Sequence, residues 1–230
     1  MNLCCCDFLR SKMKTSPYQA IFITFAILSL VWGHGRLIVP PSRSSVWRLN
    51  QFVSQNPPIN LNDNELHCDG VLQADEPGSN CGVCGDSILQ NIPRDNEING
   101  NFYRGIITDS YSAGQIIEVQ TDITATHRGH MEWRLCTDPK NETQACFNQH
   151  VLHLATGFGG TKVPVSKAGR YRTKLLLPEA VQCDHCIIQW NYRGGNKRGM
   201  CENGMRKLGC GPQNTFRGCS DVSILLSIHK

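Results

Sequence analysis

From residue 116 onward, apolar and polar positions change places at every second residue, the period of a half-buried β-strand. Ile117, Val119, Thr121 and Ile123 fall on one face and Glu118, Gln120 and Asp122 on the other. Met131, Trp133 and Leu135 alternate with Glu132 and Arg134, and Tyr171, Thr173 and Leu175 with Arg170, Arg172 and Lys174. Cys186 to Tyr192 is β-branched and aromatic, and Val222, Ile224, Leu226 and Ile228 alternate with Asp221 and Ser223. Turn signals separate these runs at Ser112-Ala113-Gly114, Gly157 to Gly160, Lys167-Ala168-Gly169 and Arg193-Gly194-Gly195-Asn196. No amphipathic helix longer than three turns follows residue 100. The pattern predicts an all-β fold, an antiparallel sandwich of immunoglobulin or fibronectin III type.

Residues 40–100 read differently. Pro40, Pro41, Pro57, Pro58 and Pro77 among many Asn, Asp and Gly predict long loops, with a short helix over Ser42 to Phe52. No internal repeat or low-complexity linker divides the chain. The expectation is one domain over residues 34–230.

Residues 1–33 stand apart. Arg10, Lys12 and Lys14 precede an apolar run from Ala20 to Trp32, and Val31 and Gly33 occupy the positions that signal peptidase reads. The run is short against the roughly 20 residues of a membrane span. It therefore reads as a removable export signal, with an uncleaved anchor as the alternative. Cleavage would make the protein secreted and extracellular, with His34 as its first residue and no membrane association.

Charge narrows the partners. The chain has 23 basic and 19 acidic residues, of which residues 1–33 hold three and one, leaving 20 against 18. A nearly neutral chain without a dense basic run gives no electrostatic case for nucleic acid or an anionic membrane.

Three of the 13 cysteines are Cys4, Cys5 and Cys6. The ten that remain form an even set, which in an exported chain reads as a disulfide framework of up to five bridges. Spacing does not fix the pairing, although Cys136 and Cys146 are placed to clip a short excursion. Cys81-Gly82-Val83-Cys84 and Cys183-Asp184-His185-Cys186 also have the form of redox or zinc motifs. The two lie too far apart for a zinc ribbon, and no strand-then-helix context surrounds Cys81 as a redox site would need. Asn141-Glu142-Thr143 is a glycosylation sequon.

A histidine at a free amino terminus offers a metal two nitrogens from one residue. Its α-amine, with an ordinary pKa of about 7.7–8, can lose its proton near neutral pH, and its imidazole is the second donor. Nitrogen donors in a tetragonal arrangement suit Cu(II). A third nitrogen is expected from His127, in the turn between the strand ending at Ile123 and the one starting at Met131. His130 is the alternative in the same turn.

The start His34-Gly35-Arg36-Leu37 with Pro40-Pro41-Ser42-Arg43 resembles lytic polysaccharide monooxygenases of auxiliary-activity family fifteen. So do Cys81-Gly82-Val83-Cys84-Gly85-Asp86, Thr124-Ala125-Thr126-His127-Arg128-Gly129, Gly209-Cys210-Gly211-Pro212-Gln213 and Phe216-Arg217-Gly218-Cys219-Ser220-Asp221. The resemblance implies a sandwich fold holding one copper ion per chain in a histidine brace made by His34 and His127. It implies oxidative cleavage of an insoluble polysaccharide, chitin or cellulose, by a monomer served by an external electron donor and O2 or H2O2; chitin and attack at C1 are the expectation. Phe216 would take the axial position, where the family often has tyrosine, with Ala125 on the opposite side and Gln213 orienting the oxygen co-substrate. Thr126 departs from the asparagine expected in its block. Candidate aromatics for a flat crystal face are Trp47, Tyr103, Tyr111 and Trp190. A non-catalytic chitin- or matrix-binding protein and a copper-sequestering protein are the rival readings; neither a binding module nor a copper carrier needs both the free His34 and an insoluble polysaccharide.

Overall fold

A computed structural model describes residues 34–68, 81–157 and 159–226. The expected export signal lies outside these residues, as do Ile228 and His229. The strands are β1 (His34–Val39), β2 (Asp109–Ser112), β3 (Ile116–Ala125), β4 (His130–Cys136), β5 (His150–Val151) and β6 (His153–Leu154). They continue with β7 (Val163–Pro164), β8 (Gly169–Leu176), β9 (Cys183–Arg193), β10 (Arg198–Met200), β11 (Arg206–Leu208) and β12 (Thr215–Leu225). The one short α-helix among the described residues, α1, spans Gln144–Phe147.

One sheet has the order β1-β3-β8-β6; the other has β2-β12-β9-β4-β5, with β7 also on β4. β10 and β11 pair only with each other. Leu37, Ile117, Val119, Ile123 and Leu175 from the first sheet meet Met131, Trp133, Leu135, Ile188, Trp190, Tyr192, Phe216 and Val222 from the second in one buried core. This is the expected sandwich. One pair departs from it: β2 runs parallel to β12. The two strands are far apart in sequence, so no hairpin imposes their relative direction.

The alternation of β3 and β8 is realised as read, with Ile117, Val119, Thr121 and Ile123 buried and Arg170, Arg172 and Lys174 exposed. The final strand is different. It begins at Thr215 and ends at Leu225, Leu226 is exposed, and Asp221 and Ser223 are buried along with Val222 and Ile224. A second apolar layer, with Val83, Cys84, Phe147, Ile187 and Cys219, covers the far face of the six-stranded sheet. A strand covered on both faces loses the polar half of its alternation.

The covering layer comes from the loops. Over Ser42 to Phe52 the expected helix resolves into two 3-10 segments, Val46–Arg48 and Asn50–Gln55, ending at Asn56 in the left-handed region with φ 49°. All ten cysteines expected to pair do so: Cys68–Cys81, Cys84–Cys219, Cys136–Cys146, Cys183–Cys186 and Cys201–Cys210. Cys81 and Cys84 bond to different partners, so the redox reading of their motif falls away, and with all four motif cysteines in disulfides so does a zinc site. Asn141 of the sequon is exposed. No helix of the described residues is long and apolar enough to cross a membrane.

Candidate metal centre

β1 and β3 run antiparallel with His34 opposite Ala125. The ladder therefore delivers His34 to the end of β3, where the chain leaves the sheet toward His127. Glycine at position 35 makes this approach possible. A Cβ there would stand 2.9 Å from Ile123 Cδ1 and 3.0 Å from Trp190 Cη2. Its N–H donates to Asn64 O at 2.8 Å.

His127 is nearly fully buried, at 4% exposure. Its backbone N–H donates to the Tyr192 hydroxyl at 2.8 Å, and its carbonyl accepts from Gly195 N–H at 2.8 Å. The loop then reverses through Arg128 (φ 57°) and Gly129 (φ 84°). A Cβ on Gly129 would sit 2.0 Å from Arg193 O, so only glycine fits. Burial pushes the Tyr192 phenol above its usual range against the opposing bonds from Thr126 and His127 N–H, so it stays protonated. Thr126, where asparagine was expected, thus bonds Tyr192, and its Oγ1 also accepts from Arg128 N–H at 2.9 Å.

Phe216 is fully buried and packs edge-on against His127, with ring centroids 6.1 Å apart and planes at 66°. Its other faces meet Tyr192 at 5.6 Å and His67 at 5.9 Å. The sequence reading gave His67 no role; only the pairing of residue 67 with Phe216 across an isolated bridge brings it here.

The nitrogens fit copper. Only Nδ1 of His34 can close a small chelate ring with that residue's own amine, and Glu65 lies 3.9 Å from the opposite nitrogen, Nε2. At His127, Asn214 Nδ2 stands 3.3 Å from Nδ1. With His34 as a free amino terminus, two imidazoles and one amine would form the nitrogen-rich set that Cu(II) favours. The other cluster of ligand-type side chains among the described residues, Cys84, Cys219 and Glu142, contains a disulfide and has no thiolate to offer.

A family model described as lytic polysaccharide mono-oxygenase, cellulose-degrading, matches residues 34–222. The chain belongs to this family. A lytic polysaccharide monooxygenase AA15 from Thermobia domestica in the Cu(I) state is 43% identical over 84% of this chain and 99% of that chain, with a TM-score of 0.75. A chitin binding domain from Burkholderia pseudomallei is 14% identical over 84% of this chain and 100% of that one, with a TM-score of 0.48. An AA10 lytic polysaccharide monooxygenase from Streptomyces lividans is 17% identical over 83% and 99%, with a TM-score of 0.47. No curated protein matches the chain. The protein is a copper-dependent polysaccharide monooxygenase of AA15 type.

Ala125 sits across the ladder from His34. Gln213 is buried at 1% exposure; its Oε1 accepts from Lys197 N–H, and its Nε2 donates to Lys197 O at 3.0 Å and Cys210 O at 2.8 Å. Its amide braces the loop that carries Asn214. His130 opens β4 opposite Arg193. Trp190 and Tyr111 are buried and cannot be surface platforms, and the Arg48 guanidinium lies 4.3 Å over the ring of Trp47.

Proposed function

We propose that the protein is secreted after loss of residues 1–33 and acts as a monomer with one copper ion, held by the His34 amine, His34 Nδ1 and His127 Nε2. Its reaction is oxidative cleavage of chitin at C1, fed by an external electron donor and O2 or H2O2. The observation that carries this reading is the β1–β3 register, which brings residue 34 beside Ala125 and the His127 loop. The family match that begins at His34 supports the same starting residue.

Copper, when bound, supplies the one-electron redox chemistry that activates oxygen. The chain supplies position. Tyr192 and Gly195 fix the backbone of His127, and Asn64 fixes that of Gly35. Phe216, packed edge-on against His127, would offer a bound copper only an apolar ring with no lone pair or donor. Ala125, small and paired with His34, would leave room beside a bound copper. Crystalline chains cannot enter a deep pocket, and a site at the start of an edge strand suits them; His34 retains 26% side-chain exposure.

The test is mature protein with copper, a reductant and insoluble chitin or cellulose, read by mass spectrometry. Aldonic-acid ends from chitin are expected. Unmodified sugars only, or unchanged oxidised products after one alanine is added before His34, would overturn the reading. Oxidised products from cellulose alone would move the substrate to cellulose.

A further inference from the structure

We propose that Glu65 is a positioning residue for His34, holding its imidazole in the tautomer and orientation that leave Nδ1 facing the metal. The proposal rests on the copper reading above. Residues 64–68 form a strap across the start of β1, the end of β3 and the start of β12. Asn64 O accepts from Gly35 N–H at 2.8 Å, and Asn64 Nδ2 donates to Thr124 Oγ1 at 3.0 Å. Leu66 O accepts from Arg217 N–H, residue 67 bridges Phe216, and Cys68 N–H donates to Thr215 O at 3.1 Å. The Cys68–Cys81 disulfide ties off the end. A carboxylate on such a strap is carried by fixed backbone on both sides.

Glu65 Oε1 lies 3.9 Å from His34 Nε2, and among the described residues His34 is its only ion-pair partner. The carboxylate is half-exposed, and a pair of that kind contributes little to folding. Its value lies in direction. Chelation through the amine and Nδ1 places the remaining imidazole proton on Nε2, the nitrogen that faces Glu65. At 3.9 Å the carboxylate stands beyond hydrogen-bond length; its charge favours the ring orientation that turns Nε2–H toward it and raises the basicity of the ligating nitrogen. It also places a negative charge one imidazole away from the metal, which favours the more highly charged Cu(II) over Cu(I).

The experiment uses the mature protein and its Glu65→Ala, Glu65→Gln and His127→Ala variants. Three quantities are measured: Cu(II) affinity by competition calorimetry, the Cu(II)/Cu(I) potential, and thermal unfolding of the copper-free form. Glu65→Ala is expected to weaken Cu(II) binding by about 10–100-fold and raise the potential, while copper-free unfolding is unchanged. Glu65→Gln, which keeps an acceptor oxygen without the charge, should recover part of the affinity but not the potential. Wild-type affinity and potential in Glu65→Ala would overturn the proposal, as would losses matched by a drop in copper-free stability. His127→Ala separates the two readings: if it also binds copper as wild type does, the brace itself is wrong, whereas strong loss there with none at Glu65 refutes the positioning role alone.

Discussion

Arg43 reaches Asp221 with two of its nitrogens, Nε to Oδ2 at 2.7 Å and Nη2 to Oδ1 at 2.6 Å, and neither side chain is more than 3% exposed. The same guanidinium donates to Glu142 Oε1 at 2.6 Å and Asn96 O at 2.9 Å, and lies 5.1 Å over the ring of Tyr103. His185 Nε2 lies 2.7 Å from Asp221 Oδ1, the oxygen that also receives Arg43 Nη2. One cation therefore joins the loop after β1 to β12, the strand that carries Phe216.

Removing one partner of such a buried pair leaves an uncompensated charge. Arg43→Ala should lower stability by about 3–5 kcal/mol, measured by urea unfolding. A loss below 1 kcal/mol would mean that solvent reaches Asp221.

The acids around Arg43 should respond to pH in opposite senses. Burial works against the charge of Asp221, but bonds and charge from Arg43 and His185 outweigh it and hold its carboxyl below the usual range. Stability from a depressed carboxyl is present above its ordinary value of about 3.9 and is lost as pH falls through the folded value. For Glu142 burial prevails over Arg43 and the Ile98 N–H, and its carboxyl is pushed up. A raised carboxyl favours folding below its ordinary value of about 4.3 and disfavours it as pH rises through the folded value. In unfolding series across pH, the stability gap between Asp221→Asn and wild type should narrow below about pH 4. Glu142→Gln should improve relative to wild type as pH rises above about 4.3. Parallel curves for either variant would contradict these shifts.

Tyr192→Phe removes the hydroxyl that receives His127 N–H. An unpartnered buried N–H costs about 1–3 kcal/mol, and the loop it anchored should loosen. Unfolding and copper titration should both register the change; an effect on stability with unaltered copper affinity would show that His127 is held by the remaining contacts.

Gly129→Ala should be more damaging to the site than to the sheet. The added methyl meets Arg193 O at 2.0 Å on a left-handed backbone, so the loop carrying His127 must move. Loss of copper affinity with β-sheet circular dichroism preserved is the expected pair of results.

The disulfides should differ in worth by the length of chain they close. Cys84–Cys219 spans 135 residues and Cys136–Cys146 spans 10, which corresponds to about 5 and about 3 kcal/mol on the chain-entropy account. Paired serine variants compared by denaturant unfolding would reverse this order only if native packing dominates over unfolded-chain entropy.

Much of this protein was present in its residues taken in order. Period-2 alternation in β3 and β8 is a local property of half-buried strands, and it identified both with the correct inward face. The even cysteine set after residue 33 announced five bridges, and the motif blocks from His34 to Asp221 announced the copper chemistry. What only the tertiary structure decided lies where distant segments meet. Asp221 looked like the solvent side of a final strand because alternation cannot reveal that a loop covers the sheet's far face. Glu65, His67 and Asn214 carried no spacing signal, since they join the site through a bridged strap and a braced loop. Gln213 lay in one of those motifs, but its hydrogen bonds to Lys197 and Cys210 could not be read from it. Periodicity reports what a residue does against its own sheet; a metal site depends on contacts between residues far apart in sequence, and those exist only once the chain has closed.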